Sequence, residues 1–168
     1  VVRLTALPPA EAMPKAKAPL ARALALDENL AEAHTTQATL LFAWDWDWPG
    51  AEREYRRALE LDPNSAFTHN RYGIFLVFMG RFAEAEPHMN KAVELDPLSP
   101  WNEVGAVWPL IYGRRYAEAI PRMQRILQTN PSFGGARQNL AFMYKWSGQC
   151  GKAIEEFGGN PIRQKMAL

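Results

Sequence analysis

Residues 66–97 read AFTHNRYGIFLVFMGRFAEAEPHMNKAVELDP, and this stretch decides the architecture. Gly80 punctuates two apolar-periodic segments, and the second closes on Leu95-Asp96-Pro97. The stretch is echoed on both sides. Ala85 stands three residues after an aromatic, Phe82, and the same phrase returns every 34 residues at Ala51 after Trp48, Ala119 after Tyr116 and Ala153 after Cys150. Pro63, Pro97 and Pro131 share the 34-residue step. A fixed period of this length signals a solenoid, in which no unit buries its apolar face alone and each stacks on its neighbours. Function is therefore to be sought on a surface.

The stretch resembles the tetratricopeptide repeat, a helix-turn-helix unit. Tyr72-Gly73 supply its large and small pair, Gly80 the turn, Phe82 the aromatic, Ala85 and Ala92 the small contacts, and Leu95-Asp96-Pro97 the exit. The resemblance implies an all-α fold: a right-handed α-solenoid of antiparallel helix pairs, with about four full repeats plus a partial N-terminal one. Residues 8–29 form the partial repeat. Full repeats follow at 30–63, 64–97, 98–131 and 132–160, and 161–168 is an unassigned tail of the single domain 1–168.

Particular residues qualify that register. Ala16 to Ala51 is 35 residues, so one extra residue lies before Ala51, and the turn Trp44-Asp45-Trp46-Asp47-Trp48-Pro49 is its expected place. Helices are expected near 30–44 and 48–61, with Asp47 capping the second and Pro49 in its first turn. Pro19 removes the bond back to Lys15 and predicts a kink or a short helix. Gly105 and Pro109 predict a bend near Trp108, since Pro costs about 3 kcal/mol in a helix interior. Pro87 and Pro121, early in second helices, should tilt rather than break them. Gly158-Gly159-Asn160-Pro161 should cut the last helix short.

Composition fits an ordinary globular core, at 48% hydrophobic and 22% charged residues over 168. No apolar run of membrane-spanning length occurs and the start carries no leader pattern, so neither membrane insertion nor secretion is expected. The chain opens on Val1 rather than Met, so a fragment of a longer protein is expected. Cys150 is alone, which excludes an intrachain disulfide and points to a reducing cytoplasm. Its expected role is that of a small buried packing residue.

Several phrases are similar to one bacterial subgroup of these repeats: Glu11-Ala12-Met13-Pro14-Lys15-Ala16-Lys17, Leu30-Ala31-Glu32-Ala33-His34, Asp45-Trp46-Asp47-Trp48 with Ala51-Glu52-Arg53-Glu54, and Leu95-Asp96-Pro97-Leu98-Ser99-Pro100. The subgroup forms C-terminal arrays behind winged-helix regulators, adenylate cyclases and serine/threonine kinases. The resemblance implies a partner-binding module of a bacterial signalling or transcription-regulatory protein. It also implies that first helices line a concave groove. Mapped here, that groove carries Phe42, Asn70, Arg71, Ile74, Phe78, Trp101, Trp108, Tyr112, Gln138, Asn139, Phe142, Lys145 and Trp146, along with Thr35, Thr36, Thr39, Phe67 and Val104. Aromatics offer large contact area at little entropic cost, and Asn or Gln can pair with an extended backbone. A protein or peptide ligand is the expected partner. The other reading of the rings is inter-repeat core, and only exposure separates the two.

Other chemistries find little support. His34 and His69 share a column, but no third ligand completes a metal set at a familiar spacing, so packing is their expected role. No phosphate loop, nucleophile elbow or metal motif occurs, so no enzyme, cofactor or metal is expected. Residues 1–109 carry 10 Lys and Arg against 15 Asp and Glu, and 110–168 carry 9 against 3. Arg114, Arg115, Arg122, Arg125 and Arg137 are spread over several faces, which disfavours nucleic acid. A scaffold binding a partner in the groove is the leading expectation. Self-association through uncapped solenoid ends, giving a homodimer, is the alternative.

Overall fold

The computed structural model describes the backbone of residues 9–158 and the side chains of residues 17–158. The expected leading segment Val1–Leu7 and the tail 161–168 lie outside the described residues. The described residues are helical, with no strand among them. They fall into two compact units, Val1–Thr68 and His69–Leu168.

In the first unit, α1 (Pro9–Leu26) is followed by α2 (Ala31–Leu40) and α3 (Trp48–Leu61). α2 packs on both α1 and α3. Small residues permit the close approach: Ala33, Ala38, Ala51 and Ala58 are buried, with Tyr55 filling the remaining space. The Tyr55 hydroxyl lies 3.1 Å from Thr39 Oγ1, and Thr35 Oγ1 lies 2.7 Å from Thr68 Oγ1, so the buried hydroxyls are paired. Of the two outcomes expected at Pro19, a kink or a short helix, the short helix is not found: α1 runs through Pro19 for 18 residues. Pro19 is exposed.

The extra residue falls where the helix runs into the turn expected at 44–49, which shares Trp44 and Asp45 with it. The end of α2 widens into a π turn over Leu41–Asp45, which accommodates one more residue without losing the helix. Trp46 then takes a left-handed conformation at φ +58°, and Asp47 caps α3 by accepting from the Gly50 N–H at 2.9 Å. A Cβ at Gly50 would lie 2.1 Å from Asp47 Oδ2, so glycine leaves room for the carboxylate in its capping position.

In the second unit, α4 (Ala66–Phe78, starting just before the boundary) precedes α5 (Phe82–Leu95). The next first helix is split into α6 (Pro100–Gly105) and α7 (Trp108–Tyr112), which is the bend that Gly105 and Pro109 predict. Then come α8 (Tyr116–Thr129), α9 (Gly134–Trp146) and α10 (Cys150–Glu156). α5 and α8 continue unbroken through Pro87 and Pro121, both exposed. α10 ends before Gly158, at φ +63°.

The core of this unit repeats one scheme. Ala85, Met89 and Ala92 of α5, then Ala119, Met123 and Ile126 of α8, are buried at matching positions. Each fully buried Met or Leu contributes about 1.5–3 kcal/mol by removal of apolar area from water. Gly73 lets α5 approach, since a Cβ there would fall 2.9 Å from Met89. Asn102 is buried yet satisfied: its Nδ2 donates to Ala92 O at 3.2 Å and Asp96 O at 3.3 Å, and its Oδ1 accepts from Asn70 Nδ2 at 3.1 Å.

Each first helix of this unit ends in a Schellman-type turn. After α4, Arg81 N–H reaches Leu76 O at 2.9 Å around Gly80 at φ +73°; after α9, Gln149 N–H reaches Tyr144 O at 2.8 Å around Gly148 at φ +79°. After α7 the same place is taken by Arg114 at φ +59°, although Gly113 stands one residue earlier. Gly113 is occupied otherwise, because a Cβ there would meet Pro109 O at 2.7 Å.

Candidate functional site

Helical periodicity brings two columns onto one side of the first helices in the second unit. Ile74, Trp108 and Phe142 form one, and Phe78, Tyr112 and Trp146, four residues further on in each case, form the other. The inner column is half-buried and acts as a floor. The outer column is exposed: Phe78 by 59%, Tyr112 by 48% and Trp146 by 50%. Ring centroids are 6.4 Å apart for Phe78 and Tyr112, 6.3 Å for Trp108 and Tyr112, and 5.6 Å for the stacked Phe142 and Trp146. The last step is bridged by a cleft of about 480 Å³ lined by Ile111, Tyr112, Arg114, Tyr116 and Trp146.

The remaining sequence-derived candidates divide. Trp101 is exposed by 63%, but its ring sits 4.9 Å edge-on from Phe133. Arg71 and Gln138 are exposed, and Lys145 is half-buried. Asn70 and Asn139 are half-buried and spend a donor internally, Asn70 on Asn102 and Asn139 on Gly135 O at 2.9 Å. Their amides hold the scaffold. Trp108 keeps its Nε1 buried without a hydrogen-bond partner.

Two groove assignments are corrected outright. Thr35 is 0% exposed and Val104 1%, so both are core, facing neighbouring helices rather than solvent. Phe42, in the first unit, lies within the π turn and is half-buried. Because that turn adds a residue, Trp44, and not Phe42, stands 34 residues before Phe78 and shares its column. Counting back by the period from Phe78 would have found it. Tyr116 and Arg114 were missed because they begin or precede a second helix, where the column scheme places no groove residue.

Outside the groove, His34 Nδ1 lies 2.6 Å from Glu54 Oε2, and His69 Nδ1 lies 2.9 Å from His88 Nδ1. Each imidazole is thus engaged by a second helix. Burial foremost, then His69, holds His88 below the usual imidazole range against a smaller upward pull from Glu84. Among the described residues no three His, Cys, Asp or Glu side chains gather as a metal site. No helix among them is long and apolar enough to cross a membrane. Cys150 is exposed, contrary to expectation. It opens α10 where the other repeats carry an aromatic.

The basic residues of the last third do not form one stripe. Arg115 is held by Glu118 and Glu86, and Arg137 by Glu156 at 3.2 Å. Arg122 and Arg125 line a different cleft, of about 380 Å³, with Asn90 and Glu103.

Residues 54–86 match the tetratricopeptide repeat. The type IV pilus assembly protein PilF of Pseudomonas aeruginosa is 39% identical over 71 residues, which is 42% of this chain and only 28% of that protein. The crystal structure of PilW, a widely conserved type IV pilus biogenesis factor, superposes with a TM-score of 0.76 at 25% identity, covering 91% of this chain and 69% of that one. YrrB, a tetratricopeptide-repeat protein with an unusual peptide-binding site, shares the fold with a TM-score of 0.69 at 18% identity over 94% of this chain and 85% of its own. The chain thus carries a tetratricopeptide repeat at 54–86 and has the all-α, helix-pair solenoid fold of proteins built from such repeats.

Proposed function

We propose that the chain is a non-catalytic scaffold, acting as a single array, whose first-helix face in the second unit takes an extended or helical segment of a partner protein. The observation that carries this is the ladder Phe78, Tyr112, Trp146: three large rings in one column, each about half exposed, over a half-buried second column. Aromatic rings held on rigid helices bury area on binding without freezing many rotamers. Gln138 and Arg71, both exposed, are the groups that fix direction.

The test is a pull-down or peptide array with Tyr112→Ala and Trp146→Ala. Both side chains are half exposed, so the fold survives and partner recovery falls at least tenfold, about 1.4 kcal/mol. Undiminished recovery by both variants removes the groove from the account.

The setting rests on two likenesses. The match to PilF favours a scaffold within a multiprotein assembly of the type IV pilus kind. The Asp45-Trp46-Asp47-Trp48 and related phrases favour a cytoplasmic signalling or regulatory array. Identification of proteins crosslinked to the full-length protein in its cell distinguishes a pilus-assembly partner from an attached cyclase, kinase or regulator. A second reading, a homodimer through the solenoid ends, is favoured by Leu26, 80% exposed at the end of α1. Sedimentation that stays monomeric across the micromolar range sinks it.

A further inference from the structure

The turn between α2 and α3 lies within the first unit and takes no part in the ladder above. Its Trp46 is 72% exposed and Trp48 43% exposed, and their centroids stand 6.4 Å apart with the planes at 55°. Trp46 occupies the left-handed position that Gly80 and Gly148 hold in later repeats, at φ +58°. A bulky residue there costs free energy that glycine avoids, and its ring is turned to solvent, so packing does not repay that cost.

We propose that this turn is a second docking point, one that takes an arginine or lysine side chain from a basic segment of a partner protein. Indole faces carry the negative side of the ring quadrupole. A cation at the mouth of the wedge lies within the ~6 Å range of both centroids, because these are only 6.4 Å apart. Asp47, exposed between the two indoles in sequence, adds a carboxylate whose Oδ1 is only partly occupied by the Gly50 N–H. The turn already attracts an ammonium: Lys17 Nζ sits 2.6 Å from Asp45 Oδ1. Residues 17–68 of the same unit carry 9 acidic against 5 basic side chains, which draws in a basic segment and repels a phosphate-rich surface.

The experiment is calorimetric titration of the whole protein with a short alternating Gly-Arg peptide, at low and high salt. Wild type binds, and salt weakens binding. Trp46→Gly weakens it about tenfold while raising the melting temperature, because the same change relieves the backbone. A merely structural Trp46 would not give those opposite signs. Asp47→Asn, which keeps the helix cap, also weakens binding. Several results overturn the proposal: no binding by wild type, unchanged binding by Trp46→Gly, equal binding of a Gly-Glu peptide, or binding of phosphatidylcholine vesicles in place of the peptide. Loss of Gly-Arg binding in Tyr112→Ala would also overturn it, placing the peptide in the groove and leaving the groove reading intact.

Discussion

Replacing Gly80 by Ala isolates one physical quantity, the cost of left-handed backbone in the turn that joins the members of each helix pair. Gly80 sits at φ +73°, and a Cβ added there meets nothing within 4 Å, so no packing change accompanies the substitution. The left-handed penalty for an L side chain is about 1–2 kcal/mol, offset by about 0.4–1 kcal/mol of lost freedom in the unfolded chain. The net loss is about 1 kcal/mol, or roughly 2–4 °C in melting temperature for a chain of this size. The mirror experiment is Arg114→Gly, at φ +59° in the same column with an exposed side chain. It should gain about 0.5–1 kcal/mol by the same reasoning. Urea unfolding followed by circular dichroism, with the m-value unchanged, reads both. If Gly80→Ala is neutral, or Arg114→Gly destabilises by a comparable amount, the backbone does not control this turn and the reasoning fails.

Ala85 is 0% exposed at the contact between paired helices, so Ala85→Trp should cost at least about 1–3 kcal/mol by overpacking; an unchanged melting temperature contradicts the register. Asp47→Ala removes the α3 cap and should cost about 1 kcal/mol, whereas Asp47→Asn should cost far less, as thermal melts of the two would show. His88 is held below its unfolded value of about 6.5 by burial and then by His69, so the native state binds this proton less readily than the unfolded chain. Its contribution is complete above pH ~6.5 and is lost as pH falls from there toward the lowered native value. Melting temperature should drop over that acidic window, and His88→Gln should flatten the drop; an equal slope in the variant assigns the effect to other groups.

Much of the candidate site was legible because a repeat translates identical chemistry by a constant step. Once Phe78 is placed on a first helix, Tyr112 and Trp146 follow at the same helical phase, and the structure finds all three exposed. Thr35 and Val104 were misplaced for a related reason. A column names an angular position on one helix, while burial depends on what the neighbouring helices set against it. Asn70 shows the same limit, since its bond to Asn102 joins residues 32 apart.

The chain's own residues determined the period, the helix pairs, the cap at Asp47 and the break between Gly105 and Trp108, because each follows from local backbone chemistry within a few residues. Tertiary structure decided the rest. It gave the additional residue the form of a π turn, gave the left-handed position to Arg114 instead of Gly113, and left Cys150 in solvent. Contacts between segments act here: a Cβ at Gly113 would stand 3.5 Å from the Phe82 ring of α5, and exposure is set by which neighbouring side chains arrive from other helices. Periodicity along one helix carries no record of either.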